Sequence, residues 1–140
     1  YDEPVNEVLQ RSFVQFKDWV REHNVEFKSS ERRLYSKLYN YAGSLDATCT
    51  VDGKNVLLDL KTSSGIYPEM FLQVTAYRHA LMEEFPEFNI DLVAIIRCGK
   101  DGSFEYKEVS NFDENMKAFI GALDLYRWKK NVDYNSKYNE

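Results

Sequence analysis

Residues 43–62 read GSLDATCTVDGKNVLLDLKT, and the Asp52-Gly53 pair near their centre is a strong short-range signal for a hairpin with two turn residues. Counting outward from this turn places Asp46 directly opposite Asp59 on the paired strands. Like charges so placed are destabilising, with Cβ atoms roughly 4.5–5.5 Å apart. Lys61 follows Asp59 by two residues and projects from the same face, about 6.6 Å away. Two facing carboxylates beside an ammonium group favour cation binding over folding, so this stretch predicts a metal-dependent site.

A longer turn would change both the register and the chemistry. With a four-residue loop, Asp46 lies opposite Lys61, and the two side chains form a cross-strand ion pair of about 0.2–1 kcal/mol at an exposed site. That alternative describes a structural or interaction domain. The hairpin taken alone favours it, because alternating acids and bases are common on solvated strands. The length of the turn therefore decides between a candidate site and a plain ion pair.

Composition limits the class of protein. The 140 residues fit one domain, residues 1–140, and a hydrophobic content of 44% excludes a disordered chain. The net charge of −5 argues against a protein that coats nucleic acid irrespective of sequence. No apolar run approaches the roughly 20 residues that span a bilayer, so we expect a cytoplasmic protein with no membrane partner. The two cysteines are too few for a four-cysteine zinc or iron–sulfur site.

Hydrophobic periodicity predicts the other elements. Leu57 lies beside the charged Asp59 and Lys61, which indicates a sheet covered on both faces. The predicted order, α-β-β-β-α-β-β-α, gives a single α/β (α+β) domain with a mixed central sheet of about five strands flanked by helices. The predicted elements are a helix Pro4–Glu22, a strand Val25–Tyr35, a hairpin of Tyr41–Val51 and Lys54–Thr62, a helix from Pro68 to about Phe85, strands Asp91–Cys98 and Phe104–Val109, and a last helix with an apolar stripe of Met116, Phe119, Ile120, Leu123 and Tyr126.

Two further polar residues extend the motif. Gln73 and Tyr77 are one helical turn apart and share a face of the predicted second helix. Together, the segment GSLD at 43–46, the segment DLKTS at 59–63 and the Gln73-x-x-x-Tyr77 pair resemble the PD-(D/E)xK nucleases, specifically the RecB-like branch that includes lambda-type exonucleases. The resemblance covers about residues 26 to 81 and implies a restriction-endonuclease-like core. Leu45 stands where the family name has Pro, which that branch often lacks.

The resemblance assigns a metal site to the end of the hairpin. Asp46 and Asp59 would bind Mg²⁺ or Mn²⁺, with the backbone carbonyl of Leu60 as a further oxygen ligand, and hard oxygen ligands suit these cations. Lys61 would orient or deprotonate the attacking water, since burial near a metal would lower its pKa. No iron–sulfur cluster is expected, because the cysteine cluster of some relatives is absent.

The remaining assignments also follow from the resemblance. Glu31, on the strand before Asp46, resembles the additional acidic residue of the family, with Glu26 as its competitor. Gln73 would hold the metal water or the lysine in place. Tyr77 would contact DNA or buttress the site.

The implied activity is metal-dependent hydrolysis of DNA phosphodiester bonds, which in this family generally leaves a 5′-phosphate and a 3′-hydroxyl. The resemblance favours an exonuclease of recombination or repair, of cellular or phage origin. Linear DNA would be the main partner, and a homo-oligomer or a recombination protein is a further expected partner. Two alternatives stay open: a catalytically inactive nucleic-acid-binding relative, and the structural domain with an Asp46–Lys61 ion pair. The sequence leaves strandedness, polarity of digestion and the choice of DNA over RNA undecided.

Overall fold

The structure is a computed structural model and describes residues 7–138. The predicted start of the first helix at Pro4 lies outside these residues. The elements in chain order are α1 (Glu7–Glu22), β1 (Glu26–Ser29), β2 (Arg32–Ser36), β3 (Tyr41–Leu45), β4 (Ala47–Val51), β5 (Lys54–Lys61), α2 (Pro68–Glu84), β6 (Leu92–Cys98), β7 (Phe104–Val109) and α3 (Phe112–Tyr138).

The strands form a mixed five-stranded sheet of order β1-β4-β5-β6-β7 and a separate two-stranded ribbon of β2 and β3. Pairing is antiparallel except between β5 and β6, which are parallel and joined through α2. The predicted α/β (α+β) fold with a central sheet of five strands is therefore confirmed. The sequence did not reveal that two of the predicted strands are each divided, Val25–Tyr35 into β1 and β2, and Tyr41–Val51 into β3 and β4.

The turn between β4 and β5 has two residues. Asp52 and Gly53 both have positive φ, of 50° and 83°, as a type I′ turn requires. The ladder runs from Val51 opposite Lys54 to Ala47 opposite Leu58. The predicted register is confirmed, and the four-residue loop that would oppose Asp46 and Lys61 is wrong for this hairpin.

Both faces of the sheet are covered. On one face Leu57 and Ile95 pack with Val74 of α2, and all three are fully buried. On the other face Leu58 packs against Trp19 of α1. Since side chains alternate along a strand, Asp59 and Lys61 project from the Leu57 face, toward α2. The predicted two-sided sheet is confirmed, and it places both charged residues under a helix.

The last helix, α3, packs on the same face through partly buried Met116, Phe119 and Leu123. Tyr126, which the periodicity places in the buried stripe, is 58% exposed. The neighbouring Trp128 is 62% exposed, because this half of α3 extends beyond the core. None of the helices formed by residues 7–138 is long and apolar enough to cross a membrane.

Candidate active site

Asp46 occupies the point where the chain passes from the ribbon to the main sheet. Leu45 pairs with Arg32 in the ribbon, whereas Ala47 pairs with Leu58 in the main sheet. The main ladder therefore ends one pair before Asp46, and no described strand pairs with the last residues of β5, 59–61, on this side. The Asp46 carboxylate takes that place, since its Oδ2 accepts a hydrogen bond of 2.8 Å from the backbone N–H of Leu60.

Asp59 is a buried carboxylate, with only 4% of the residue exposed. Its Oδ2 lies 3.1 Å from Lys61 Nζ. That approach is an ion pair without hydrogen-bond alignment, because the same buried oxygen has no hydrogen-bond partner among the described residues. Burial raises the pKa of Asp59 to about 6, the Lys61 ammonium opposes this rise, and the charge of Asp46 adds to it. The two carboxylates are thus close enough to repel each other.

Lys61 links the strand to the helix above it. Its Nζ donates a hydrogen bond of 3.0 Å to Gln73 Oε1, and its side chain is 23% exposed. The turn after β5 and the proline at the start of α2 return the chain across the sheet, so Gln73 lies above the end of β5. The ammonium group is therefore held between one carboxylate, that of Asp59, and one amide oxygen.

Tyr77 lies one turn beyond Gln73 and covers Gly43 of β3. A side chain at position 43 would collide with the Tyr77 ring, so glycine is needed for the close approach. The pKa of Tyr77 is raised, first by burial and then by the negative charges of Asp59 and Asp46. The glycine of the GSLD segment thus has a physical explanation: it makes room for an aromatic ring beside the two carboxylates.

Among the residues that the structure describes, no third acidic side chain joins this group. Glu31 is exposed in the connection between β1 and β2. Its neighbour Arg32 pairs with the residue before Asp46, so the backbone of Glu31 lies at the same end of the sheet. Glu26 pairs with Thr50 and forms an exposed ion pair of 3.5 Å with Lys28. Among residues 7–138, no three His, Cys, Asp or Glu side chains are placed to hold a metal together.

Arg97 is a residue of the site region that the sequence reasoning missed. It is only 5% exposed, and β6 places it level with Lys61 in the parallel ladder. Its guanidinium donates to the Ser63 carbonyl at 3.1 Å, to Ser103 Oγ at 2.6 Å, and to Glu105 in an ion pair. Arg97 therefore fixes the loop that follows Lys61. The available signal was an arginine inside an almost continuous apolar strand.

The donor set fits a hard divalent cation. Asp46 and Asp59 offer carboxylate oxygens, and the buried Oδ2 of Asp59 accepts no hydrogen bond from the described residues. In an extended strand the N–H and C=O of one residue point to the same edge, so the Leu60 carbonyl faces the side of Asp46, as its N–H does. Mg²⁺ commonly takes one or two protein carboxylates and completes its shell with water and phosphate oxygens.

No family model and no curated protein matches this chain. Among solved structures, a protein from Eubacterium rectale that carries the provisional name of an exonuclease shares the fold, with a TM-score of 0.59 at 13% sequence identity. The match covers 90% of this chain and 52% of that protein, so this chain spans about half of its length. The crystal structure of SSO0001 matches at 14% identity over 79% of this chain and 57% of that one, with a TM-score of 0.41, and it carries no argument. At this identity the first likeness shows the fold alone.

Proposed function

We propose that this chain is a metal-dependent nuclease domain of the PD-(D/E)xK type, RecB-like branch, that hydrolyses phosphodiester bonds in DNA. The observation that carries the proposal is the convergence of Asp46, Asp59 and Lys61 at the end of β5, with Gln73 and Tyr77 of α2 beside them. A shared fold with a protein provisionally named an exonuclease supports it. An exonuclease, as opposed to an endonuclease, rests on family analogy.

The proposed chemistry assigns a role to each side chain. Asp46, Asp59 and the Leu60 carbonyl hold Mg²⁺ or Mn²⁺, and a cation there relieves the repulsion between the carboxylates. A cation bound there would polarise a phosphoryl oxygen as a Lewis acid and would lower the pKa of a water molecule bound to it. Lys61 orients the attacking water and stabilises negative charge on the phosphate. Gln73 accepts a hydrogen bond from the ammonium and so fixes its direction.

Tyr77 has a different role in the proposal. Its ring closes the side of the site toward β3, where Gly43 leaves room for it. The ring shields the carboxylates from water, which strengthens every charge interaction among them. The tyrosine therefore buttresses the site, and its contact with DNA stays a prediction.

Purified protein incubated with linear DNA and Mg²⁺ or Mn²⁺ tests the proposal directly. Asp59→Ala and Lys61→Ala should each reduce the rate about a hundredfold or more, as the removal of a transition-state contact does. Asp124→Asn on α3 and Lys17→Ala on α1, which packs on the opposite face of the sheet, change exposed residues and serve as matched controls. Equal rates in the site variants and in the wild-type protein would rule the proposal out.

A catalytically inactive nucleic-acid-binding relative is the second candidate, and calorimetric titration with Mn²⁺ separates it from a nuclease. An active site should take up the cation, and Asp46→Ala or Asp59→Ala should abolish that uptake. A decayed site would bind DNA with no cation uptake that depends on these two aspartates.

A further inference from the structure

A groove of about 580 Å³ runs along the outer side of the β2–β3 ribbon. The exposed side chains of the ribbon are Arg33 and Tyr35 from β2, and Ala42 and Ser44 from β3. They share one face, because Arg33 pairs with Ser44 and Tyr35 pairs with Ala42. Glu84, near the end of α2, borders the groove as well. The proposed nuclease chemistry uses none of these side chains.

The groove leads to the candidate active site. Ser44 lies two residues before Asp46, so a strand places them about 7 Å apart. Gly43, which also lines the groove, lies against the ring of Tyr77. The Tyr77 ring lies on the buried face of the ribbon, so it is the Ser44 end of the groove that lies within about 7 Å of Asp46 along the chain.

The lining suits a single nucleic-acid strand. Tyr35 is 45% exposed, and its hydroxyl donates to Asn40 Oδ1, which holds the ring in place. The guanidinium of Arg33 is exposed and forms no hydrogen bond or ion pair within residues 7–138. The small side chains of Ala42 and Ser44 leave the floor open beside the ring. An aromatic ring that stacks a base, next to a cation that contacts the backbone, is the usual arrangement for binding single strands.

We propose that this groove binds the single-stranded segment of the substrate next to the scissile phosphate, with a base stacked on Tyr35 and a phosphate bound by Arg33. This inference rests on the proposed nuclease function. The inferred substrate is single-stranded and not duplex DNA, because a duplex is held chiefly by rows of cations along its phosphates. Among the described residues that line this groove, the charged side chains are the guanidinium of Arg33 and the opposing carboxylate of Glu84.

Steady-state cleavage of a fluorescein-labelled oligothymidylate, compared with a blunt duplex, tests the assignment. Arg33→Ala and Tyr35→Ala should each raise KM for the single strand about fivefold or more, as loss of one stacking or phosphate contact does, with kcat unchanged. Tyr35→Phe keeps the ring, so its KM for the single strand should lie between those of the wild-type protein and Tyr35→Ala. Glu84→Gln removes a charge that repels phosphate and should lower KM. Arg11→Ala changes an exposed arginine on α1 and serves as the control.

The outcomes separate this inference from the proposed function. If Asp59→Ala abolishes cleavage while Arg33→Ala and Tyr35→Ala leave KM unchanged, the groove assignment is wrong and the nuclease remains. An equal rise of KM for the duplex would overturn the single-strand preference. If the wild-type protein does not cleave either substrate, fluorescence anisotropy with the same oligothymidylate tests directly whether the groove binds a single strand. Binding that depends on Arg33 and Tyr35 would support the groove, and binding that ignores them, or no binding, would overturn it.

Discussion

Asp46 and Leu60 are joined by a hydrogen bond of 2.8 Å, in which the Leu60 backbone N–H donates to the Asp46 carboxylate. The bond ties the chain that crosses between the two sheets to the unpaired edge of β5. It also turns one carboxylate oxygen toward the backbone and brings the Asp46 charge close to Asp59. The end of β5 needs a side-chain acceptor for its backbone N–H, and the acceptor that it finds brings the Asp46 carboxylate close to that of Asp59.

The pKa of Asp59 predicts how stability depends on pH without a cation. Because burial raises this pKa from 3.8 to about 6, the native state binds the proton more tightly than the unfolded chain does. The stabilisation is fully present below about pH 4 and is lost as pH rises through about 6. Asp59→Asn should therefore raise the free energy of unfolding at pH 7 by about 1–3 kcal/mol and flatten the profile in this window. Urea unfolding between pH 4 and 8 measures both effects.

Asp124→Asn provides the control for this experiment, since Asp124 is exposed on α3. It should leave the pH profile of the wild-type protein intact. A Mn²⁺ titration across the same pH range should show weaker binding below about pH 6, where Asp59 is protonated. A wild-type profile that coincides with that of Asp59→Asn would contradict the buried, high-pKa carboxylate.

Removal of the Lys61 ammonium should raise the pKa of Asp59 further. The ion pair at 3.1 Å is the main interaction that opposes the burial effect. Lys61→Met keeps the aliphatic length and removes the charge, so the stability transition assigned to Asp59 should move above pH 6. Gln73→Leu removes only the hydrogen-bond acceptor of Lys61 and should leave that transition near its wild-type position. A transition unchanged in Lys61→Met would show that the ion pair does not set the pKa.

Local sequence signals were sufficient for much of the fold. Asp52-Gly53 predicted the two-residue turn of the hairpin, because both residues readily adopt the positive φ angles of a type I′ turn, whose twist matches that of the flanking strands. Pro68 marked the start of α2, and the apolar run Leu92–Cys98 marked a central strand. The register of β4 and β5 followed from the turn, so the proximity of Asp46 and Asp59 was predictable as well.

Non-local pairing accounts for what the sequence did not reveal. The division of the predicted strand at Asp46 depends on Leu45 pairing with Arg32 in a second sheet, and no local pattern encodes that choice. The separate division of the predicted strand Val25–Tyr35 into β1 and β2 leaves Glu31 in a connection, where its side chain is exposed. Arg97 became recognisable only when the β5–β6 pairing placed it level with Lys61.

The contact between Gly43 and Tyr77 predicts a strong coupling between these positions. Gly43→Ala places a methyl group against the ring and should lower the free energy of unfolding by about 1–3 kcal/mol. In a Tyr77→Ala background the same change should cost much less, because the obstacle is gone. A double-mutant cycle on urea unfolding should give a coupling energy of about 1 kcal/mol or more. Additive effects would mean that the ring does not press on the glycine.

Arg97 should act on the site through the loop after Lys61. Arg97→Met leaves the Ser63 carbonyl and the Ser103 hydroxyl without their donor and should lower the free energy of unfolding by about 1–3 kcal/mol. If the loop also positions Lys61, kcat for DNA cleavage should fall while KM changes little, at temperatures where the variant is folded. Glu105→Gln weakens the ion pair and keeps the bond to Ser63, so it should lose some stability and retain kcat. A wild-type kcat in folded Arg97→Met would limit Arg97 to a purely structural role.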